Sequence, residues 1–171
     1  MTMGIGKHGN LLLGALLLLP PPAYAEVQRG PSTPEERAKA VELVRVLETA
    51  PVSPAAKEAR QWLTVWLAEV PDLTVKVCFS LLGSKQETAS LPAELRMQHA
   101  YSSAAWLIEH PDTNPGSTET LLAGVRGTLR SYEAWKTADP AVSHALLEAL
   151  LAMERTGTLE QHVRQQGRYC R

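Results

Sequence analysis

Apolar residues recur at intervals of three and four positions in five stretches of the chain, and this spacing predicts five amphipathic α-helices. The helices are expected to begin near Thr33, Ser53, Ser90, Ser117 and Asp139, all residue types that commonly cap a helix. Their apolar stripes comprise Ala40, Leu43, Val44 and Leu47; Ala59, Trp62, Leu63, Trp66 and Val70; Met97, Ala100, Tyr101, Ala104, Leu107 and Ile108; Leu122, Val125, Leu129 and Tyr132; and Val142, Ala145, Leu146, Ala149, Leu150 and Met153. Because each stripe covers one side of its helix, we expect these sides to pack against one another.

One stretch, residues 73–82, fits two patterns. Apolar and polar residues alternate from Leu73 to Phe79, which is typical of a strand. No other stretch offers a partner strand, and a lone strand leaves its backbone groups unpaired. We therefore expect a short helix here, with Asp72 as its N-cap, followed by a polar loop over residues 83–89.

Five helices and one short helix, joined by short loops, predict an all-α bundle of five to six helices. Residues 26–32 are expected to form a flexible leader, and residues 33–171 a single helical domain that ends in a polar tail from residue 158 onward. Gly124 and Gly127 would each weaken the fourth helix by about 1 kcal/mol, unless a neighbouring helix packs closely against them.

The N-terminal 25 residues differ in composition from the rest of the chain. Lys7 is their only charged residue, residues 11–19 are apolar, and Ala23-Tyr24-Ala25 precedes Glu26. This arrangement is typical of a secretory signal peptide cleaved between Ala25 and Glu26. The apolar run would be about 14 Å long as a helix, too short to span a bilayer, although a retained interfacial helix is an alternative. The mature protein is thus expected to be soluble, periplasmic or secreted, and free of stable membrane insertion.

The chain has only two cysteines, Cys78 and Cys170, and both follow the predicted cleavage site. Two thiols in an oxidising compartment most simply form one disulfide bond, which would tie the C-terminal tail to the middle of the chain. Two free thiols, or pairing of Cys170 between chains, are the alternatives.

Composition narrows the function classes. A hydrophobic content of 44% with a formal net charge of −1 argues against a disordered chain. The 17 lysines and arginines are balanced by 18 acidic residues, which argues against a nucleic-acid partner.

Familiar catalytic signatures are absent. The chain contains no C-x-x-C-H, H-E-x-x-H or G-x-S-x-G motif and no glycine-rich phosphate loop. His144 and Glu148 have a spacing that can bind a metal, but such a pair on a helix surface is more often a solvated interaction. We therefore expect no cofactor and no bound metal.

Two histidines lie on the predicted third helix, residues 90–110. His99 and His110 are expected to face nearly the same way but about 16 Å apart, too far to share a metal ion. His110 precedes Pro111 and Asp112. This run fits the end of a helix better than a His–Asp acid/base pair, for which no nucleophile is evident.

The chain contains four tryptophans but only one phenylalanine. Trp62 and Trp66 lie one turn apart on the second helix, where packing is the favoured interpretation and a groove for an apolar ligand or partner helix the alternative. Trp106 lies off the apolar stripe of its helix, beside His99 and His110, and is the first candidate for a partner surface.

Several segments carry a family resemblance. P-S-T-P-E-E-R (31–37), A-K-E-A-R-Q-W-L (56–63) and E-V-P-D-L-T-V-K-V-C (69–78) resemble a family of exported bacterial all-helical proteins of unknown function, as do A-W-L-I-E-H-P-D (105–112) and L-A-G-V-R (122–126). The resemblance implies an exported helical protein and transfers no catalytic residue.

These observations leave three functional hypotheses. The first is a non-enzymatic module that binds a protein or peptide through a helix face or groove. The second is a carrier of a small apolar ligand held between helices near Trp62 and Trp66. The third is a hydrolase that uses His110 or His99 as its acid/base group.

Overall fold

The computed structural model describes residues 29–170, so the predicted signal peptide and its cleavage site between Ala25 and Glu26 lie outside the described residues. Within this range the chain forms α1 (Pro34–Thr49), α2 (Pro54–Glu69), α3 (Lys85–Ser90), α4 (Ala93–Glu109), α5 (Thr118–Ala138), α6 (Ala145–Arg155) and α7 (Leu159–Gln166), with 3₁₀ helices at Phe79–Leu82 and Gly167–Tyr169. Residues 29–170 contain no β-strand. The predicted all-α bundle is confirmed.

The start of α1 is held by the cap that the sequence predicts. Thr33 accepts a hydrogen bond from the backbone N–H of Glu36 at 3.2 Å, and the Glu36 carboxylate accepts one from the Thr33 N–H at 3.0 Å. Asp72, after α2, accepts hydrogen bonds from the backbone N–H of Ser32 at 2.9 Å and from Arg37 at 2.9 Å. The Ser32 N–H above all lowers the pKa of Asp72 to about 2. These bonds fasten the beginning of α1 to the end of α2.

The apolar stripes form two cores, and α4 contributes residues to both. The first joins α1, α2 and α4 through Ala40, Val44, Leu47, Ala56, Ala59, Leu63, Trp66, Val70, Tyr101 and Ala105. The second joins α5, α6 and α7 to the first 3₁₀ helix and the start of α4 through Cys78, Leu81, Leu82, Leu91, Leu95, Leu121, Leu122, Val125, Leu129, Tyr132, Leu147, Leu150, Leu151, Leu159 and Val163. Burial of these side chains is the main stabilising contribution to the fold.

The α4–α5 interface is the most extensive contact between helices, and the two glycines of α5 lie in it. A Cβ on Gly124 would come within 2.8 Å of the His99 carbonyl oxygen. One on Gly127 would come within 2.7 Å of the Glu48 carboxylate and would overlap the Ser102 side chain. Both glycines therefore allow α4 and α5 to pack closely. The sequence analysis expected them to weaken the helix unless a neighbouring helix packed in this way.

The prediction of a short helix at residues 73–82 is wrong for most of that stretch. Residues 73–78 are irregular, and only Phe79–Leu82 form a single 3₁₀ turn. The predicted loop at 83–89 instead contains α3, because Ser84 and Glu87 form a capping box. Gly83, with φ of +114°, separates the two turns in a conformation that favours glycine.

The last two helices also differ from the sequence prediction. Asp139 ends α5 rather than starting α6, and its carboxylate accepts the backbone N–H of Ala141 at 3.1 Å in a turn. The Tyr132 hydroxyl accepts the backbone N–H of His144 at 2.9 Å, immediately before α6 begins at Ala145. These two bonds hold residues 139–144 outside the helix.

The predicted polar tail contains a packed helix, α7. Leu159 and Val163 have 0% exposure and complete the second core. Beyond α7, Cys170 forms a disulfide bond with Cys78, and their Cα atoms are 5.4 Å apart. No helix between residues 29 and 170 is both long and apolar enough to cross a bilayer.

Candidate binding cleft

Trp106 and His110 lie together at the C-terminal end of α4. Their rings stack, with centroids 3.7 Å apart and planes inclined by 14°. The His110 backbone N–H donates to the Trp106 carbonyl oxygen at 2.8 Å, and Nδ1 of the ring lies 3.0 Å from the same oxygen. His110 therefore ends the helix, as predicted, and covers part of the indole.

The half-buried Trp106 lines a cleft of 530 Å³ between α1, α4, α5 and α7. Ala105, Trp106, Leu122 and Ala123 provide its apolar wall. The charged residues that line it are Arg45, Glu48, Glu109, Glu119, Arg126, Arg130 and Glu160. An aromatic surface thus lies beside charges of both signs.

Glu48 is the buried charge of the cleft, with 4% of the residue exposed. Arg130 donates to both of its oxygens, at 2.9 and 2.7 Å, and the Ser102 hydroxyl donates to one of them at 2.7 Å. Gln98 in turn donates to Ser102 at 3.0 Å. Three helices, α1, α4 and α5, therefore meet at a single carboxylate.

This geometry keeps Glu48 ionised. Burial would raise the pKa of its carboxyl group, but the hydrogen bonds from Arg130 and Ser102 and the positive charge of Arg130 outweigh burial, so the pKa lies below its usual value. A bidentate arginine–carboxylate pair also has a defined orientation. Glu48, Arg130 and Ser102 consequently form a polar surface of defined geometry in the cleft.

Two further arginines of the cleft are paired at its edge. Arg45 donates to Glu109 at 2.8 Å and lies 3.5 Å from Glu48, while Arg126 donates to Glu154 at 2.7 Å. The side chains of Arg45 and Arg126 are about half exposed, with 51% and 44% of their surface accessible. Their guanidinium groups therefore keep donors that water or a ligand can reach.

The indole N–H of Trp106 is buried and has no hydrogen-bond acceptor among residues 29–170. A buried donor without a partner is uncommon in folded proteins.

His99 does not share a surface with His110, contrary to the sequence expectation. It has 0% exposure, and neither ring nitrogen has a hydrogen-bond partner among the described residues. Burial lowers the pKa of His99 to about 4, so the ring is neutral at physiological pH. Neither imidazole is hydrogen-bonded to a carboxylate or hydroxyl within residues 29–170, and the hydrolase hypothesis gains no support there.

Trp62 and Trp66 pack against each other on α2. Their rings stack with centroids 5.4 Å apart, Trp66 is 3% exposed in the first core, and Lys39 lies 4.5 Å above the Trp62 ring. The face of Trp62 is therefore partly covered by a cation–π contact. Both tryptophans also line a cleft of 450 Å³ together with Arg29, Glu36 and Glu69.

The described residues contain no group of three or more side chains suited to hold a metal ion. His144 instead lies 3.0 Å from the Ser90 hydroxyl through Nε2. Glu148 accepts hydrogen bonds from Tyr132 at 2.7 Å and from Lys136. The two residues thus have separate structural partners.

The sequence analysis missed Glu48 and Arg130, the central pair of the cleft. One signal was present, because Glu48 follows Val44 by one turn and so continues the apolar stripe of α1. Arg130 gave no such signal, since an arginine on a helix is ordinarily solvated.

No family model, no curated protein and no solved structure matches this chain.

Proposed function

We propose that this chain is an exported, non-enzymatic module that binds a polypeptide segment in the cleft at Trp106. The mixed lining of the cleft carries the proposal, since an indole surface lies beside three arginines and four glutamates. A peptide supplies apolar side chains, charges of either sign and backbone carbonyls within one short segment. A purely apolar ligand would cover these charged side chains and remove the water that solvates them, without offering polar groups in its place.

The position of the cleft also supports a binding role. Its walls come from four helices, and the α4–α5 pair at its base is closely packed. A rigid site loses little conformational entropy when a ligand binds, which favours affinity. Tryptophan and arginine are the residue types that contribute most often to binding at protein interfaces.

The test starts from a library of random twelve-residue peptides displayed on phage and selected on the purified mature protein. The affinity of a selected peptide is then measured by calorimetry for the unmodified protein and for an Ala123→Trp variant, which fills the cleft without removing its charged residues. We expect affinity to fall at least tenfold in this variant, and to fall similarly in Trp106→Ala.

An Ala152→Trp variant is the matched control, because Ala152 is exposed on α6 and does not line the cleft. It should bind the peptide like the unmodified protein. Failure of the library to yield a saturable peptide, or equal affinities for the Ala123 and Ala152 variants, would refute the proposal.

Export is the second part of this proposal. The signal-like pattern of residues 1–25 supports it, and the Cys78–Cys170 bond is compatible with an oxidising compartment. We expect the protein recovered outside the cytoplasm to begin at Glu26, which mass spectrometry of the intact chain measures.

A Leu17→Asp variant, which places a charge in the apolar run, should remain unprocessed in the cytoplasm. Gln28→Asp is its control, because it adds the same charge after the cleavage site and should leave processing unchanged. An unmodified protein that keeps its first 25 residues would contradict this part of the proposal.

A further inference from the structure

A second concave surface shares no lining residue with the Trp106 cleft. It is a groove of 570 Å³ formed by Phe79–Leu82, α3 and the first two turns of α4. Phe79, Ala89, Ala93 and Met97 are its apolar lining residues, and Phe79 is 44% exposed. We call it the Phe79 groove.

The charges at the Phe79 groove have one sign. Lys85 and Arg96 line it, and no aspartate or glutamate is among the lining residues. Neither cation forms an ion pair with any residue from 29 to 170. Glu87 lies close to Gly83 beside the groove, and its carboxylate accepts a hydrogen bond from the backbone N–H of Ser84 at 2.9 Å.

The hydroxyl groups of the Phe79 groove are already bonded within the protein. Thr88 donates to the Phe79 carbonyl oxygen at 3.3 Å, and Ser84 accepts the Glu87 N–H at 3.3 Å. The Ser80 hydroxyl lies 3.1 Å from the Cys78 sulfur. A peptide in the groove would find few partners for its backbone groups, whereas a hydrocarbon chain needs none.

We propose that the Phe79 groove binds a small anionic amphiphile, a single-chain carboxylate with an apolar tail. The tail would lie against Phe79, Ala93 and Met97, and the carboxylate would pair with Lys85 or Arg96. The volume and the mainly apolar lining with a few charged groups are typical of small-molecule sites. This site is separate from Trp62 and Trp66, where the sequence analysis placed an apolar ligand, and it does not depend on the proposed peptide cleft.

The probe is dodecanoate, titrated below its micelle concentration into the ¹⁵N-labelled mature protein and followed by NMR. We expect saturable shifts concentrated in residues 79–97. Dodecanol, which has the same chain without the charge, should bind at least fivefold more weakly. The dodecanoate affinity should also fall as sodium chloride is raised, because salt screens the ion pair.

Charge-removing variants identify the groups that bind the carboxylate. The double variant Lys85→Gln, Arg96→Gln should lower the dodecanoate affinity about five- to tenfold and leave the dodecanol affinity unchanged. Lys57→Gln is the matched control, because Lys57 is exposed on α2, forms no ion pair with a described residue and lies outside the groove. Ala93→Trp, which fills the groove, should abolish the shifts while preserving peptide binding at the Trp106 cleft.

Several outcomes would overturn the proposal. These are the absence of saturable shifts below the micelle concentration, shifts centred outside residues 79–97, or equal affinity for dodecanoate and dodecanol. Binding of an acidic peptide at residues 79–97 in place of dodecanoate would assign the groove to a protein partner and overturn it as well.

Discussion

Glu48 places a carboxylate where the apolar stripe of α1 would ordinarily continue. Its side chain is 3% exposed, whereas that of its main partner, Arg130, is 47% exposed. The buried carboxylate depends on donors from α4 and α5, while the guanidinium can still reach water. Removing the Arg130 guanidinium therefore leaves a buried carboxylate without its main partner, whereas removing the Glu48 carboxylate leaves a guanidinium that water still solvates.

We predict that Glu48→Gln lowers the free energy of unfolding by about 1–3 kcal/mol, because the amide cannot accept all the hydrogen bonds that Arg130 and Ser102 donate. Urea denaturation measures this loss. Glu109→Gln serves as the control, since the Arg45–Glu109 pair is exposed and its loss should change stability by less than about 1 kcal/mol. Equal losses in the two variants would contradict the assigned role of Glu48.

His99 makes stability depend on pH. Its pKa is about 4 in the folded chain, where burial disfavours the charged ring, and rises to the ordinary value of 6.5 on unfolding. The unfolded state therefore binds more protons between these values. The contribution of His99 to the free energy of unfolding is fully present above pH 6.5. About 3 kcal/mol of it is lost as the pH falls towards 4.

We predict that His99→Met flattens the loss of stability between pH 6.5 and pH 4, because methionine fills the space without a titrating group. Unfolding midpoints measured across this range give the comparison. His110→Gln should retain the dependence of the unmodified protein, because His110 is exposed. A His99→Met variant with an unchanged pH profile would refute the prediction.

At the scale of elements, the approach of α4 to α5 is decided by small residues. Replacing an interior glycine by alanine usually stabilises an exposed helix by about 1 kcal/mol. In α5 the added methyl group would instead meet Ser102 and Glu48 of neighbouring helices. This tertiary contact makes the replacement of glycine by alanine destabilising, whereas helix propensity alone predicts that it stabilises the helix.

We predict that Gly127→Ala lowers stability by about 1–3 kcal/mol, since α4 and α5 must move apart to admit the methyl group. Gly30→Ala, at a position with nothing within 4 Å of the added carbon, should change stability by less than about 0.5 kcal/mol. The measurement is thermal unfolding, and a more stable Gly127→Ala variant would count against the close interface.

At the scale of the whole molecule, one covalent bond joins the C-terminal segment to the second core. The Cys78–Cys170 bond closes a loop across 92 positions and holds the chain end beyond α7. Since α7 buries Leu159 and Val163, the bond acts on a segment that already belongs to the core.

We predict that the double variant Cys78→Ala, Cys170→Ser lowers the free energy of unfolding by about 2–5 kcal/mol, chiefly because the unfolded chain regains freedom. The reduced unmodified protein should behave like the variant. Peptide mapping before and after reduction identifies the bond, and a variant as stable as the oxidised protein would contradict its contribution.

The strong helices were predictable because their burial pattern repeats along a single helix. Ala40, Val44 and Leu47 of α1 and Leu122, Val125 and Leu129 of α5 are all buried as their spacing predicts. The short α3 was missed even though Ser84 and Glu87 form a recognisable capping box. Its six residues carry no apolar period, so the cap was the only local signal.

The candidate site was less predictable than the fold. Trp106 lies off the buried face of α4 and lines the cleft, and its part in a partner surface stays a prediction. His99 was expected beside it but is buried, because α4 contacts both α1 and α5 and ten of its residues are buried. The spacing of apolar residues describes each helix separately and does not indicate which helix is surrounded by others.

The local pattern of apolar and capping residues was sufficient to establish the helical class, because the period of a helix and the chemistry of its first turn involve residues close in the chain. The meeting of Glu48 with Arg130, the burial of His99 and the separate charge patterns of the two concave surfaces depended on tertiary packing. Glu48 and Arg130 alone are 82 positions apart, and only the arrangement of whole helices brings such residues within reach.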